Sequence, residues 1–258
     1  MTPTAGAIAR FLDDALHTSS IPDFPNALNG LQCEHRGPVR KIAAAVDFSR
    51  RVLEEVSHRD ANLLLVHHGM FWGGLHTFTG ALFERLRLLI SNDIAVYASH
   101  LPLDAHPSLG NNVLLARHLG LIPSLPFAHF QGVDIGVAGD ADLDTSELLQ
   151  RVDQFSREHS GTARSSMTAD GRRTRRWAVC TGAGASSETL REARDHGIDT
   201  LIVGEGPHHT AVEAPESDLV IIYAGHYATE TLGVCAAAAH AAAHFTLPWE
   251  FIPAPTSL

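Results

Sequence analysis

The stretch 62-NLLLVHHGMFWGG-74 decides how the rest of the chain is read. Residues 62–66 predict a buried strand, and the chain leaves it on two adjacent imidazoles, His67 and His68, followed by Gly69. A short continuous apolar run fits a strand covered on both faces. Paired histidines at its end are loop residues, hydrogen-bonded core residues or metal ligands. Neighbours on an extended strand point to opposite faces. Such a pair therefore serves two ions, or one ion if Gly69 lets the backbone turn.

Working outward, the same logic recurs. Residues 42–47, IAAAVD, predict a strand ending on Asp47, and 48–58 a helix. Residues 80–92 predict an amphipathic helix, and 94–99 a strand that ends on His100. A helix over 111–119 stops at Gly120, and residues 2–18 carry Ile8, Phe11, Leu12 and Leu16 on one helical stripe. Strand alternating with helix predicts a mostly parallel, helix-covered sheet. Such sheets carry their sites at the carboxyl ends of the strands. His67, His68, His100 and Asp104 all fall just after expected strand ends.

The segment 121–135, with Pro123 and Pro126, marks an expected boundary. We assign residues 1–125 to a first domain and 126–258 to a second, with the C-terminal segment free to pack back on the first. The second half repeats the strand–helix alternation. Helices are expected at 145–158 and 187–196, strands at 176–180, 199–203 and 218–223. The strand at 199–203 runs into Gly204-Glu205-Gly206, an alanine-rich helix covers 234–244, and a short strand near 249–252 ends the pattern. The fold class expected is α/β: two α/β domains with mostly parallel sheets covered by helices.

Composition narrows the function. The 258 residues carry 45% hydrophobic and 19% charged residues, a globular balance. No apolar run reaches the ~18 residues of a membrane span, and the N-terminus lacks the features of a signal peptide. A cytoplasmic protein is expected. The formal net charge of -10 argues against a nucleic-acid or anionic-membrane surface. Arg172, Arg173, Arg175 and Arg176 form a short basic cluster, read as a solvated turn and strand edge. Cys33, Cys180 and Cys235 are far apart, which excludes a zinc ribbon. The 17 histidines are the outlier.

His226 and Glu230 are four residues apart, so a helix starting at or near His226 puts them on one face. A glutamate in the first turn also favours its ionised form, through the helix dipole. The pair is a divalent-ion half-site or a surface pair that helps start the helix. Asp104 lies between Pro102 and Pro107 and reads as a turn cap or a ligand. His100 and His106 flank it and are ligands, orienting partners or neither. Three imidazoles and two carboxylates together match the composition of a two-metal hydrolytic site.

The ordered motifs 29-NGLQ-32, 39-VRKIAAAVDFS-49, 67-HHGMFW-72, 100-HLPLDAHPSLGNN-112, 204-GEGPHHT-210 and 224-AGHYATE-230 resemble the short bacterial form of the GTP cyclohydrolase I type 2 homolog family, the NGG-interacting-factor-three-like proteins. The resemblance spans essentially the whole chain. It implies a toroidal homohexamer, a trimer of dimers, with a dinuclear metal site between the two domains of each subunit. It implies two divalent metal ions per subunit (zinc, iron, manganese, cobalt or nickel), held by His67, His68, Asp104, His226 and Glu230, with Glu230 bridging. It leaves His208 and His209 as catalytic acid–base or phosphate-contacting groups. The implied activity is hydrolysis of GTP at C8 of guanine. The chain carries no P-loop for a triphosphate. Two classes of function follow: a metal-dependent hydrolase acting on a nucleotide, or a hexameric metal-binding scaffold without turnover.

Overall fold

The computed structural model describes residues 3–74 and 76–256. Residue 2, at the head of the expected 2–18 helix, lies outside them. In chain order the first elements are α1 (Ala5–Ala15), β1 (Gly30–Cys33), β2 (Ile42–Asp47), α2 (Arg50–His58), β3 (Leu63–His68), α3 (Gly80–Ser91), β4 (Ala95–Ala98) and α4 (Leu101–Asp104). Then come α5 (Asn111–His118), β5 (Leu125–Phe130), β6 (Val133–Asp144), α6 (Thr145–Glu158), β7 (Arg164–Ser165), β8 (Arg173–Cys180) and α7 (Ser187–Asp195). The last are β9 (Thr200–Val203), α8 (His208–Glu216), β10 (Val220–Tyr223), α9 (His226–Thr229), α10 (Thr231–Phe245) and β11 (Trp249–Phe251).

The described residues divide into two compact units. One runs to Leu103 and includes Gly233–Ala254; the other is Asp104–Leu232 with the residues from Pro255. The expected division after residue 125 therefore moves to Leu103. The reason is packing: Leu115, Ala116 and Leu119 of α5 share a core with Leu148, Val152 and Phe155 of α6 and with Trp177 and Val179 of β8. The C-terminal segment rejoins the first unit because β11 pairs in parallel with β2, Trp249 beside Ile42.

The first unit holds a sheet of order β1-β4-β3-β2-β11. Strands β4, β3, β2 and β11 run parallel, and β1 is antiparallel at the edge. Leu64 and Val66 face a core with Ala43, Ala45, Val52, Val56 and Leu89. Leu63 and Leu65, on the other face, are also fully buried. All six residues of β3 are buried, as expected for a central strand with both faces covered. The strand was expected to end at Val66, but its ladder runs on through Asp47 paired with His68.

The second unit's sheet has the order β5-β6-β8-β9-β10-β7. It is mixed: β8, β9 and β10 are parallel, while β5–β6, β6–β8 and β10–β7 are antiparallel. Helices α5 and α6 cover one face, and Leu190 and Ala193 of α7 with Ala214 of α8 cover the other. Each buried Leu, Val or Phe in these layers contributes roughly 1.5–3 kcal/mol. The β5–β6 hairpin was not expected from the sequence. Its two-residue turn is Gln131-Gly132, both at positive φ, and Gln in place of the usual Asn or Asp hides the signal. Pro126 is tolerated because β5 is an edge strand.

Candidate metal centre

In the first unit the carboxyl ends of three adjacent parallel strands deliver the chemistry. Asp47 ends β2, His67 and His68 end β3, and His100 follows β4 by two residues. His67 is 1%, His68 7% and His100 8% exposed. The ligand atoms of the three imidazoles lie within 4.8 Å of one another. Ring centroids of His67 are 4.9 Å from His68 and 4.8 Å from His100. The adjacent pair thus converges at the strand end, although strand neighbours ordinarily diverge. Gly69 does not supply this by a positive φ. Its missing side chain instead admits Gln32, whose amide fills the space a Cβ would take. Gln32 Oε1 accepts from Met70 N at 2.6 Å, and its Nε2 donates to Ala27 O and Leu28 O. The NGLQ segment therefore fixes the turn that follows the histidines.

Each of these imidazoles turns Nδ1 to an acceptor. His67 Nδ1 meets Ser99 O at 2.9 Å, His68 Nδ1 meets Asp47 Oδ1 at 2.9 Å, and His100 Nδ1 meets Asp23 Oδ1 at 2.8 Å. An Nδ1–H facing an oxygen puts the ring's lone pair on Nε2, the tautomer and orientation of a metal-binding histidine. Asp23 is itself braced by Asn29 Nδ2 and Leu101 N. Burial disfavours its charge, but His100, Asn29 and Leu101 outweigh that and hold its pKa below the usual value. Trp72 covers the group, 4.4 Å from His100 and 4.8 Å from His68 between ring centroids.

The second unit gathers oxygen donors at the carboxyl ends of β8, β9 and β10. His226 opens α9 after Gly225, which adopts φ 96°. Its Nε2 is 3.2 Å from Glu230 Oε2, so the four-residue spacing does bring the two together. Its Nδ1 donates to Glu205 Oε1 at 2.8 Å, the same arrangement as in the first unit. Burial works against the imidazolium, but Glu230 and then Glu205 outweigh it and raise the His226 pKa to about 9. A site that holds a proton this firmly has the negative potential to hold a cation. Glu230 is 2% exposed. It caps the end of α9, one residue before α10, and is not in a first turn as expected.

Glycines make room for Glu230. A Cβ on Gly182, at φ 62°, would collide with its carboxylate, and one on Gly204 would collide with Gly182 O and Thr229 Oγ1. Gly182 N donates to Thr229 Oγ1, Glu205 N to Gly182 O and Gly225 N to Gly204 O, which ties the three strand-end loops together. Asp104, 8% exposed, accepts from Asn111 Nδ2 at 2.8 Å and Thr181 Oγ1 at 3.5 Å. Asn112 joins it to β8 by accepting from Thr181 N at 2.7 Å.

The match of a family model, Duf34/NIF3 (NGG1p interacting factor 3), runs over residues 3–256. The chain belongs to the DUF34/NIF3 family. A relative in Deinococcus radiodurans, named GTP cyclohydrolase 1 type 2 homolog, is 39% identical and covers 97% of this chain and 93% of its own. A homolog of the same name in Pseudomonas aeruginosa is 36% identical over 95% of this chain and 94% of its own. Among solved structures, a structural-genomics protein called ybgI, of unknown function, superposes with a TM-score of 0.88 at 31% identity, covering 99% of this chain and 100% of that one. A Thermus thermophilus protein superposes with a TM-score of 0.81 at 34% identity, with the same coverage.

Within this DUF34/NIF3 chain the donor set fits divalent metal. It offers imidazole nitrogen and carboxylate oxygen. The nearby thiol of Cys180 does not join it, because burial, with Asp104, Glu192 and Glu230 adding to it, pushes its pKa up to about 12. His106 is occupied elsewhere, since its Nδ1 accepts from Ser108 N and Leu109 N and caps a turn. His208 and His209 are exposed on the first turn of α8, His209 beside Ser187 Oγ at 3.3 Å. The sequence reading missed Asp23, Asp47 and Glu205 as orienting partners and left His100 open. Asp47 could have been found as the polar end of an apolar strand. Asp23 leaves no local sign, since it acts on a histidine 77 residues away.

Proposed function

We propose that this chain is a dinuclear metal-dependent hydrolase. His67 and His68 of one unit and Asp104, His226 and Glu230 of the other serve one centre for two divalent ions, with Glu230 as the bridge. The observation that supports this most is the shared orientation of four histidines. Each gives Nδ1 to a carboxylate or carbonyl oxygen, three of them in one compact unit and the fourth in the other. A buried imidazole held for packing alone has no need of that repeat. Bound divalent ions would acidify water toward neutral pH and polarise a substrate oxygen.

The chain's own residues supply the rest. Asp47, Asp23 and Glu205 hold the imidazole rings, Trp72 keeps solvent from His68 and His100, and Gln32 locks the turn after His68. His208 and His209, at the mouth of α8, are assigned to proton transfer or to substrate phosphate. The names of the relatives support a nucleotide substrate of the GTP type. The family resemblance supports a homohexamer built as a trimer of dimers with a toroidal ring. No helix among the described residues is long and apolar enough to cross a membrane.

Metal analysis of the purified protein should find about two ions per chain. Glu230→Gln should lose at least one ion while the circular dichroism spectrum stays unchanged. A chain purified without bound metal, and unable to take it up, sinks the centre. Turnover should appear for GTP or another member of a nucleotide and phosphoester panel, and chelation should abolish it. Two bound ions with no turnover of any compound would select the scaffold class instead.

A further inference from the structure

The second unit contains a cleft of about 370 Å³ beside the His226 half of the metal centre, sharing Gly204, Glu205 and Gly225 with it. Its wall includes His159, Thr162, Arg164, Glu205, Tyr223 and Tyr227. The volume is at the small end of the range for small-molecule sites. Its polar groups are placed by strand register. Arg164, on edge strand β7, is directly opposite Tyr223 of β10, and Tyr223 is level with Val203 of β9. Directly opposed residues present their side chains on one face. Glu205 follows Val203 by two residues. Two strand spacings of ~4.8 Å put Arg164 and the start of the Glu205 turn roughly 10 Å apart, on either side of Tyr223.

The two ends carry complementary chemistry. Arg172, Arg173 and Arg176 are each ion-paired to an aspartate. Among the described residues the Arg164 guanidinium has no ion-pair partner. A guanidinium is a planar fork suited to phosphate or carboxylate. Glu205 Oε1 accepts from His226. A carboxylate has about four acceptor positions, and the Glu205 side chain is 43% exposed, so it can also accept N–H donors from the cleft. Between them the Tyr223 hydroxyl is bonded to Thr210 Oγ1 at 2.8 Å, which fixes the ring as a flat wall.

We propose that this cleft binds a planar ring with N–H donors on its edge and an anionic arm. The edge lies on Glu205, the ring against Tyr223 and the anion on Arg164. The proposal rests on the hydrolase reading only in treating that molecule as substrate; the cleft itself belongs to the second unit. Because Glu205 also orients His226, the bound ring is linked to the metal centre through one carboxylate.

Isothermal titration calorimetry tests this with guanosine monophosphate, guanosine and inorganic phosphate as probes. The protein is used as purified and after chelation, with metal content and melting temperature measured on every sample. Guanosine monophosphate should bind both preparations. Arg164→Ala should weaken it about tenfold or more while leaving guanosine unchanged, and Glu205→Gln should weaken both probes by a similar factor. The exposed, ion-paired Arg173, changed to Ala, should alter nothing. Binding that is absent, that ignores Arg164→Ala and Glu205→Gln, that falls equally with Arg173→Ala, or that vanishes on chelation overturns the proposal. Two bound ions with no response to the cleft variants defeat the cleft alone. The predicted pattern in a chain that takes up no metal defeats the metal centre alone.

Discussion

The two donor sets differ in how the chain holds them. In the first unit His67 and His68 are the last residues of a buried central strand, with Asp47 braced in register beside them. In the second unit His226 and Glu230 stand on a one-turn helix among glycine loops, and their place depends on backbone contacts to Gly182 and Gly204. The first set is nitrogen-rich and oriented from behind by the Asp47 and Asp23 carboxylates and the Ser99 carbonyl. The second holds the carboxylates themselves. Regular structure is enough to aim imidazoles, whereas the buried Glu230 carboxylate sits where loops tied together by backbone hydrogen bonds bring a bare glycine against it.

That contrast can be broken most severely at Gly182. Its φ of 62° suits glycine, and an added Cβ would meet the Glu230 carboxylate. Gly182→Ala should cost about 2–4 kcal/mol by denaturant titration and should reduce metal content, while Gly69→Ala in the first unit, where no positive φ is required, should cost less because it loses only the Gln32 bonds to Met70, Ala27 and Leu28. Equal costs at the two glycines would remove the distinction.

A second difference is electrostatic. In chelator-stripped protein the folded His226 pKa is raised to about 9 from an unfolded value of 6.5. Its contribution to stability is therefore complete below pH 6.5 and is lost as pH rises through 9. The loss should approach ~3 kcal/mol and should shrink in Glu230→Gln. Stability of the stripped protein that stays flat from pH 6.5 to 9.5 would contradict this.

The mildest test addresses the first unit. Asp47→Asn keeps the shape but removes the charge behind His68, so metal affinity should fall about 10- to 100-fold with little change in melting temperature of the stripped protein. An affinity equal to that of the native chain would mean that Asp47 is only a solvated strand end.

Much of this was legible in the chain itself. The strand 42–47 and the helix 145–158 match their expected limits, because apolar runs and the Asp144 cap are local signals. His67, His68 and Asp104 drew notice as polar residues just after expected strand ends, and His226 and Glu230 by their four-residue spacing, while their reading as one ligand set came from the family resemblance. Less was legible where distant residues decide. The hairpin of β5 and β6 has a turn without its usual residues, and the unit boundary at Leu103 follows from where α5 buries its apolar face.

The sequence by itself determined the α/β class, the alternation that places ligands at strand ends, and the family. These depend on periodicity and motif order along the chain. Only the tertiary structure decided that His67, His68 and His100 converge, that Asp23, Asp47 and Glu205 aim the imidazoles, and that the Glu230 carboxylate lies against Gly182. Those are contacts between segments far apart in the chain. Their energy depends on distance and burial in three dimensions, which no local pattern encodes.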